Sequence, residues 1–443
     1  MIVPAVYKPS GSTAKDLAED IERAILDGVL MPGDVLPPIR TVSELNGVAA
    51  ATVSSAYRVL RDRGMVVGER RRGTRVARFS DPPLTRAGIL PSGVIDLSSG
   101  NPDPDLLPDL RPMLRLTSQP SGAYREAINL VSLIEAGRER FAAEGMATAA
   151  LTVTNGAMDA IERILRLHLR TGDRIAVEDP GYSSVFDVAR ALNLRILPIP
   201  MDEYGVIPAA LLEKLQRHRP KAIVLTPRAH NPSGAAWNER RQRELRHVFL
   251  EFPELLIIED DHAGPIAGVP YFPLNLGDSR QWAVIRSVSK FFGPDLRLAV
   301  VAGSDRLIDR LEANFSVGPG WVSHVTQSVV SGLFADPSVD DGLEVAAATY
   351  SVRRNGLIEA LRDRFLDCTA RSGLNVWIRV PSEEQAVTGL MAKGWAVAAG
   401  ERFRLQSPSS VRVTIATLSP EQATDFANDI AEVVAVSGRT RSA

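Results

Sequence analysis

Ser287-Val288-Ser289-Lys290-Phe291-Phe292-Gly293-Pro294-Asp295-Leu296-Arg297 sets a lysine seven residues ahead of an arginine, at the threshold of a predicted strand, Leu298–Ala302. A lysine amine can form a Schiff base with an aldehyde. The hydroxyls of Ser287 and Ser289, with the charged fork of Arg297, can hold a phosphate. A surface lysine beside a polar loop would look the same, so this segment does not settle the matter alone.

Four further segments extend the same chemistry. Glu259-Asp260-Asp261-His262 closes the apolar run Leu255–Ile258. An acid there can hold a protonated pyridine nitrogen and keep the ring an electron sink. His230-Asn231-Pro232-Ser233-Gly234 follows the run Ala222–Leu225, and Asn231 can donate to a phenolic ring oxygen. Thr154-Asn155-Gly156-Ala157-Met158 passes from a strand into a helix, whose free N–H groups can receive a phosphate. Pro180-Gly181-Tyr182 can lay an aromatic face on the ring. Each has an ordinary counterpart: a capping acid, a plain turn, a strand-to-helix connection, a packed tyrosine. Their joint order, each just past the carboxyl end of a candidate strand, carries the reading.

The candidate strands are Leu151–Thr154, Arg174–Val177, Leu194–Ile199, Ala222–Leu225, Leu255–Ile258, Ala283–Ile285 and Leu298–Ala302. Their β-branched content and the helical patterns between them predict an α/β large domain over 95–340, with a mostly parallel sheet covered on both faces. After about Asp340 a long helix, strands near Leu374–Val380 and Val411–Ala416, and a helix from Pro420 to about Val434 predict a smaller α+β domain over 341–443.

From about Ile95 to Val434 these motifs make the chain resemble the class I aminotransferases, pyridoxal phosphate enzymes of fold type I. The resemblance implies that Lys290 bonds covalently to pyridoxal 5'-phosphate, Asp260 pairs with the ring nitrogen, Asn231 contacts the ring oxygen and Tyr182 stacks. It assigns the phosphate to Gly156, Ala157, Met158, Ser287, Ser289 and Arg297. It also picks out Arg412, in Val411-Arg412-Val413-Thr414, as the clamp for an amino acid's carboxylate; without it Arg412 reads as an exposed strand residue. One departure is His262, where the family usually has tyrosine bonding the ring oxygen. Imidazole can donate there too, but it ordinarily titrates near neutrality. Cofactor binding is expected to survive, with little or no full transamination.

Only six of the 51 basic residues are lysines, so Lys290 has few rivals. Net charge is −2 at pH 7, and 45% of residues are hydrophobic, as in soluble globular proteins. One cysteine, Cys368, rules out an intramolecular disulfide and favours a reducing compartment. No signal-like opening, run of 18 apolar residues or metal-ligand spacing of histidines is present, so neither membrane nor metal is expected.

The charge is unevenly spread. Between Arg58 and Arg78 eight arginines face only Asp62 and Glu69, which suggests a polyanionic partner. Helical spacing predicts helices over Ser12–Asp27, Ile39–Leu45 and around Val53–Leu60, followed by a hairpin, Met65–Val67 and Thr74–Val76, with a basic tip. That is the outline of a winged helix over 1–78. Thr52, Ser55 and Arg58 remain available to a major groove, and Arg70-Arg71-Arg72 suit phosphates or a narrow minor groove. Pro82-Pro83, Gly88 and Pro91-Ser92-Gly93 read as a linker over 79–94.

Residues Thr13 to Ala77 resemble the GntR-type winged helix. The shared signatures are Gly28-Val29-Leu30-Met31-Pro32-Gly33-Asp34-Val35-Leu36-Pro37-Pro38-Ile39-Arg40, Thr52-Val53, Ala56-Tyr57 and Gly73-Thr74-Arg75-Val76. The resemblance implies a DNA-backbone contact for Arg40 and places Thr74 at the DNA face. Ala49-Ala50-Ala51 departs from relatives that carry serine and arginine there, and alanine cannot make bidentate base contacts. Specificity is then expected from Arg58, the wing and DNA shape.

A GntR-type winged helix joined to an aminotransferase-like domain is the architecture of the MocR subfamily. The Lys290–Arg297 spacing and the Glu-Asp-Asp run look more like that subfamily than like free-standing aminotransferases. The resemblance implies a cytoplasmic bacterial regulator, a head-to-tail homodimer on double-stranded DNA, responding to an amine, an amino acid or pyridoxal phosphate itself. Two other readings stay open: an active aminotransferase with an accessory DNA-binding domain, and a regulator whose large domain is only a dimerisation scaffold.

Overall fold

The computed structural model describes residues 7–31, 33–62, 65–69, 73–76, 90–116, 128–146, 150–277 and 279–439. Arg70, Arg71 and Arg72 and most of the linker lie outside them. The chain divides into an N-terminal unit and a larger one that begins at Leu90.

The N-terminal unit has helices α1 (Ala14–Leu26), α2 (Ile39–Asn46) and α3 (Ala50–Asp62), then strands β1 (Val66–Glu69) and β2 (Gly73–Val76), paired antiparallel. Thr13 and Asp16 cap the start of α1 reciprocally, satisfying N–H groups the helix leaves free. Gly47 ends α2 at φ 64°, a left-handed turn that glycine adopts without strain. Leu17, Ile21, Val42, Val53, Ala56, Tyr57, Leu60 and Val76 form one core, and the Tyr57 hydroxyl donates to the Pro37 carbonyl at 2.6 Å. Asp34 and Leu36 bond β2 along its other edge, so the wing is rooted in the helical core.

The larger unit carries β3 (Ile95–Asp96), β4 (Ala150–Thr154), β5 (Arg174–Asp179), β6 (Arg195–Asp202), β7 (Gly205–Val206), β8 (Ala222–Leu225), β9 (Leu256–Asp260), β10 (Trp282–Ser287) and β11 (Ala299–Gly303). One sheet runs β4-β11-β10-β9-β8-β5-β6-β7. β5, β8, β9 and β10 pair in parallel, and β11 is antiparallel to both its neighbours. Every residue of β8 and β9 is buried, as expected of parallel strands covered on both faces.

The C-terminal part opens with a helix, Pro337–Arg362, somewhat earlier than the pattern change near Asp340 suggests. Strands β12 (Cys368–Thr369), β13 (Asn375–Arg379), β15 (Ala398–Ala399) and β16 (Ser410–Thr414) form an antiparallel sheet; β14 (Trp395–Ala396) pairs with β3. A closing helix spans Pro420–Arg439. No helix among the described residues is long and apolar enough to cross a membrane.

Candidate cofactor and ligand site

One edge of the large sheet gathers the segments singled out in the sequence. β4, β5, β8, β9 and β10 all point their carboxyl ends to it, and reversed β11 begins there. Ala299 at the start of β11 stands opposite both Ser287 and Thr154. That register draws Arg297 to the Gly156 turn: a Cβ on Gly156 would lie 3.4 Å from an Arg297 nitrogen. Gly156 has φ 88° and ψ 171°, a region essentially restricted to glycine. Arg297 is itself held at φ 43°, an outlier that costs about 1–3 kcal/mol and points to a functional constraint. Ala157 and Met158 open the helix Ala157–His168 just after Gly156, where a helix leaves its first N–H groups without intrahelical partners.

The three acids at the end of β9 have different surroundings. Glu259 accepts from the Tyr271 hydroxyl at 2.7 Å, and burial pushes its pKa up to about 8. Burial would raise Asp261 as well, but Arg228 (2.8 and 2.9 Å) and Arg286 (2.9 Å) hold it well below the usual carboxylate range. Asp260 is buried, and its Oδ1 has no hydrogen-bond partner. Burial, then Asp261 and Glu178, raise its pKa to about 7. It is therefore an acid short of a cationic partner.

Lys290 and Arg412 meet a common strap of chain. Lys290 Nζ donates to the Gly100 carbonyl at 2.6 Å. Arg412 donates through Nη1 to Asn231 Oδ1 at 3.1 Å and through Nη2 to the Ser98 carbonyl. The Arg412–Asn231 bond fixes the amide so that Nδ2 is the end left to donate elsewhere. Arg412 is only 5% exposed, not the surface strand residue its sequence context suggests, and its guanidinium lies 4.8 Å from the Phe403 ring. Burial, then the neighbouring Arg412 charge, lowers the Lys290 pKa to about 8. Burial lowers that of Arg412 to about 10, with Tyr182 opposing the fall.

His262 behaves differently from an ordinary histidine. Burial first, then Lys290, push its pKa down to about 4, so it is a neutral imidazole at pH 7 rather than a group titrating near neutrality. Buried His230 sets Nδ1 2.7 Å from Ser233 Oγ and Nε2 3.3 Å from Glu178.

Sequence patterns missed three contributors: the strap Ser98–Gly100, Phe403 and Asp179. The Asp179 carboxylate accepts from the N–H groups of Leu405 (2.9 Å), Gln406 (2.7 Å) and Ser407 (3.0 Å) and from the Ser407 hydroxyl (2.9 Å). Gly181 N–H donates to the Phe403 carbonyl at 2.7 Å. The turn bearing Tyr182 is thus tied to the loop bearing Phe403. The only advance signal was an acid in front of Pro180-Gly181.

Among the buried polar atoms without a hydrogen-bond partner here are Asp260 Oδ1, Ser289 Oγ and Arg412 Nε. An acid, a hydroxyl and a cationic donor are the complements of a protonated ring nitrogen, a phosphate and a carboxylate. The residues present fit pyridoxal phosphate. Among the described residues no His, Cys, Asp or Glu cluster could hold a metal.

In the N-terminal unit Arg58 is exposed, and Thr52, Ser55 and Thr74 are half-buried. Arg40 is exposed and bonds Glu44 at 3.0 Å, a surface pair weak enough to be exchanged for a phosphate.

Residues 92–430 match the aminotransferase class I and II family, and residues 13–76 the gntR family of bacterial regulatory proteins. The Salmonella typhimurium protein called vitamin B6 salvage pathway transcriptional repressor PtsJ is 34% identical over 423 residues, covering 95% of this chain and 98% of that one. The uncharacterized HTH-type transcriptional regulator YdeF of Bacillus subtilis is 26% identical over 419 residues, 90% of this chain and 88% of that one. Kynurenine aminotransferase of Pyrococcus horikoshii shares the fold, with a TM-score of 0.72 at 21% identity over 78% of this chain and 92% of that one. Fold and site together define an aminotransferase-like domain of fold type I behind a winged helix. The chain belongs to the GntR-type regulators fused to a class I and II aminotransferase domain, the MocR architecture.

Proposed function

We propose that this regulator depends on pyridoxal phosphate, reads operator DNA through its winged helix, and senses an amine or amino acid, or pyridoxal phosphate itself, in its aminotransferase-like body. The observation that carries the reading is Asp260, a buried carboxyl without a partner at a strand end, in a chain that also bears a DNA reader. The name of the Salmonella relative supports the vitamin itself as one candidate signal.

When bound, the cofactor supplies an electrophilic aldehyde and a ring that accepts electron density. Lys290 is the nucleophile. With its pKa near 8, roughly a fifth of molecules carry the neutral amine at pH 7.4, against about one in a thousand for an ordinary lysine. Asp260 accepts the ring N–H and regains its charge by pairing with that cation. Asn231 Nδ2 and neutral His262 donate to the ring oxygen, and Tyr182 covers a ring face. Gly156, Ala157, Met158, Ser287, Ser289 and Arg297 hold the phosphate. Arg412 takes the effector's carboxylate. An effector that prefers one arrangement of the body shifts DNA affinity by that preference, typically ~1–3 kcal/mol. The same reading has the protein act as a head-to-tail homodimer in the cytoplasm, its paired winged helices set on two half-sites.

Incubation with pyridoxal phosphate, borohydride reduction and mass spectrometry test this. The adduct is expected on Lys290; Lys290→Ala should lose it, keep DNA binding and lose the ligand response. An adduct elsewhere, or none, overturns the reading.

A further inference from the structure

We infer that Ser372, in the C-terminal part, is a positioning residue for Asn231: its hydroxyl holds the loop Ala229–Gly234 in the shape that carries the Asn231 amide to the cofactor ring. This rests on the function proposed above, which gives Asn231 its role, and adds what keeps it in place.

Ala229, two residues ahead of Asn231, has φ 53°, a left-handed conformation that works against an alanine Cβ. The residue is buried, so its N–H cannot turn to water and needs a partner within the protein. The fully buried Ser372 hydroxyl accepts that N–H at 2.6 Å. The far end of the loop meets the same segment. The Gly234 carbonyl accepts from the N–H groups of Arg371 at 2.8 Å and of Ser372 at 2.9 Å. Arg371 and Ser372 therefore grip the loop on both sides of Asn231.

The fit leaves no slack. A Cβ on Gly373 would lie 2.4 Å from the Ala229 Cβ, and one on Gly234 would lie 2.6 Å from the Asn375 carbonyl oxygen. The gripping segment is itself fixed. Gly373 N–H donates to the Ala267 carbonyl at 2.9 Å, and the Gly373 carbonyl accepts from buried Arg354 at 3.2 Å. Two contacts thus divide the work at Asn231. Arg412 Nη1, bonded to Oδ1 at 3.1 Å, sets which way the amide faces. Ser372 sets where the backbone beneath it stands. A hydrogen bond from Nδ2 to the ring oxygen is strong only over a few tenths of an ångström, so a loop released at Ala229 loses it.

Two probes that bind without a covalent bond test this by spectral titration of the full-length protein. Pyridoxamine 5'-phosphate carries the ring oxygen that Asn231 meets, and its analogue without the ring hydroxyl does not. Ser372→Ala should weaken the first by about threefold to tenfold, the worth of one hydrogen bond, and leave the second largely unchanged. In an Asn231→Ala background the same substitution should have no further effect on the first probe. Equal loss for both probes, no loss, or a loss that persists without Asn231 overturns the inference. If the wild type binds neither probe, or both alike, the proposed function fails at Asn231, and the inference with it. Hydrogen exchange of the wild type needs no variant to fold. Peptides across Ala229–Gly234 should be protected more by the first probe than by the second, and equal protection also overturns the role of Ser372.

Discussion

Asp261 accepts three hydrogen bonds from Arg228 and Arg286, while Asp260, one residue earlier, keeps a buried oxygen without a partner. Consecutive residues at a strand end project to opposite sides, and here only one side is furnished with arginine. The chain thus pairs one acid within its own architecture and leaves the other without a cation. Asp260→Asn should weaken pyridoxal phosphate binding by roughly tenfold to a hundredfold, the worth of ~1.5–3 kcal/mol for a hydrogen bond to a charged group. An absorbance titration measures it, and unchanged affinity would remove Asp260 from the site.

Attachment of pyridoxal phosphate should quicken as pH rises toward about 8 and level off above it, because only the neutral Lys290 amine attacks. The folded state binds that proton less tightly than the unfolded chain. The shift therefore costs stability below pH 8, and the cost fades as pH climbs through 8 toward the ordinary lysine value. Stopped-flow absorbance across pH 6 to 10 checks the rate; a profile still rising beyond pH 9.5 contradicts the shift.

Gly156→Ala forces a side chain into a conformation that costs about 1–3 kcal/mol, at the turn facing Arg297. Affinity for pyridoxal 5'-phosphate should drop while affinity for pyridoxal, which lacks the phosphate, changes little. Parallel titrations with both compounds give the ratio, and an equal loss for the two would disconnect this turn from the phosphate.

Replacing Arg412 with Ala should reduce binding of amino acids to the cofactor-loaded protein by about tenfold or more, and leave simple amines largely unaffected. Spectral titration with alanine and with ethylamine separates the two. Similar losses for both would mean that Arg412 acts through the fold and not through a carboxylate.

DNA affinity should fall linearly on a log–log plot against salt, by about 0.9 per phosphate contacted. Substituting Arg70 and Arg71 together with Ala should flatten that slope by about two units, and Arg58→Ala by about one. Fluorescence anisotropy over a salt series provides the slopes; parallel lines for variant and wild type would exclude these arginines from the backbone.

The large sheet was legible because its strands are apolar and end in glycine, proline and polar residues that name their own chemistry. Ala222–Leu225 is observed as read, and β9 extends past Ile258 to Asp260. The strap was not legible. Gly100 and Ser98 act through carbonyl groups that every residue possesses, on partners 190 and 314 positions away. His262 departs from an ordinary histidine for a related reason: its titration is set by burial and by Lys290, neither of which a sequence displays. Phe403 and Asp179 likewise matter through where they lie, not through a local pattern.

The corner around Lys290 is assembled from residues as far apart as Ser98 and Arg412, while the described strands and helices of the winged helix are complete by Val76. During synthesis the winged helix can therefore fold long before that corner is complete. A chain clipped ahead of Arg412 would keep every described element of the winged helix and lose one of the two side chains that meet the Ser98–Gly100 segment.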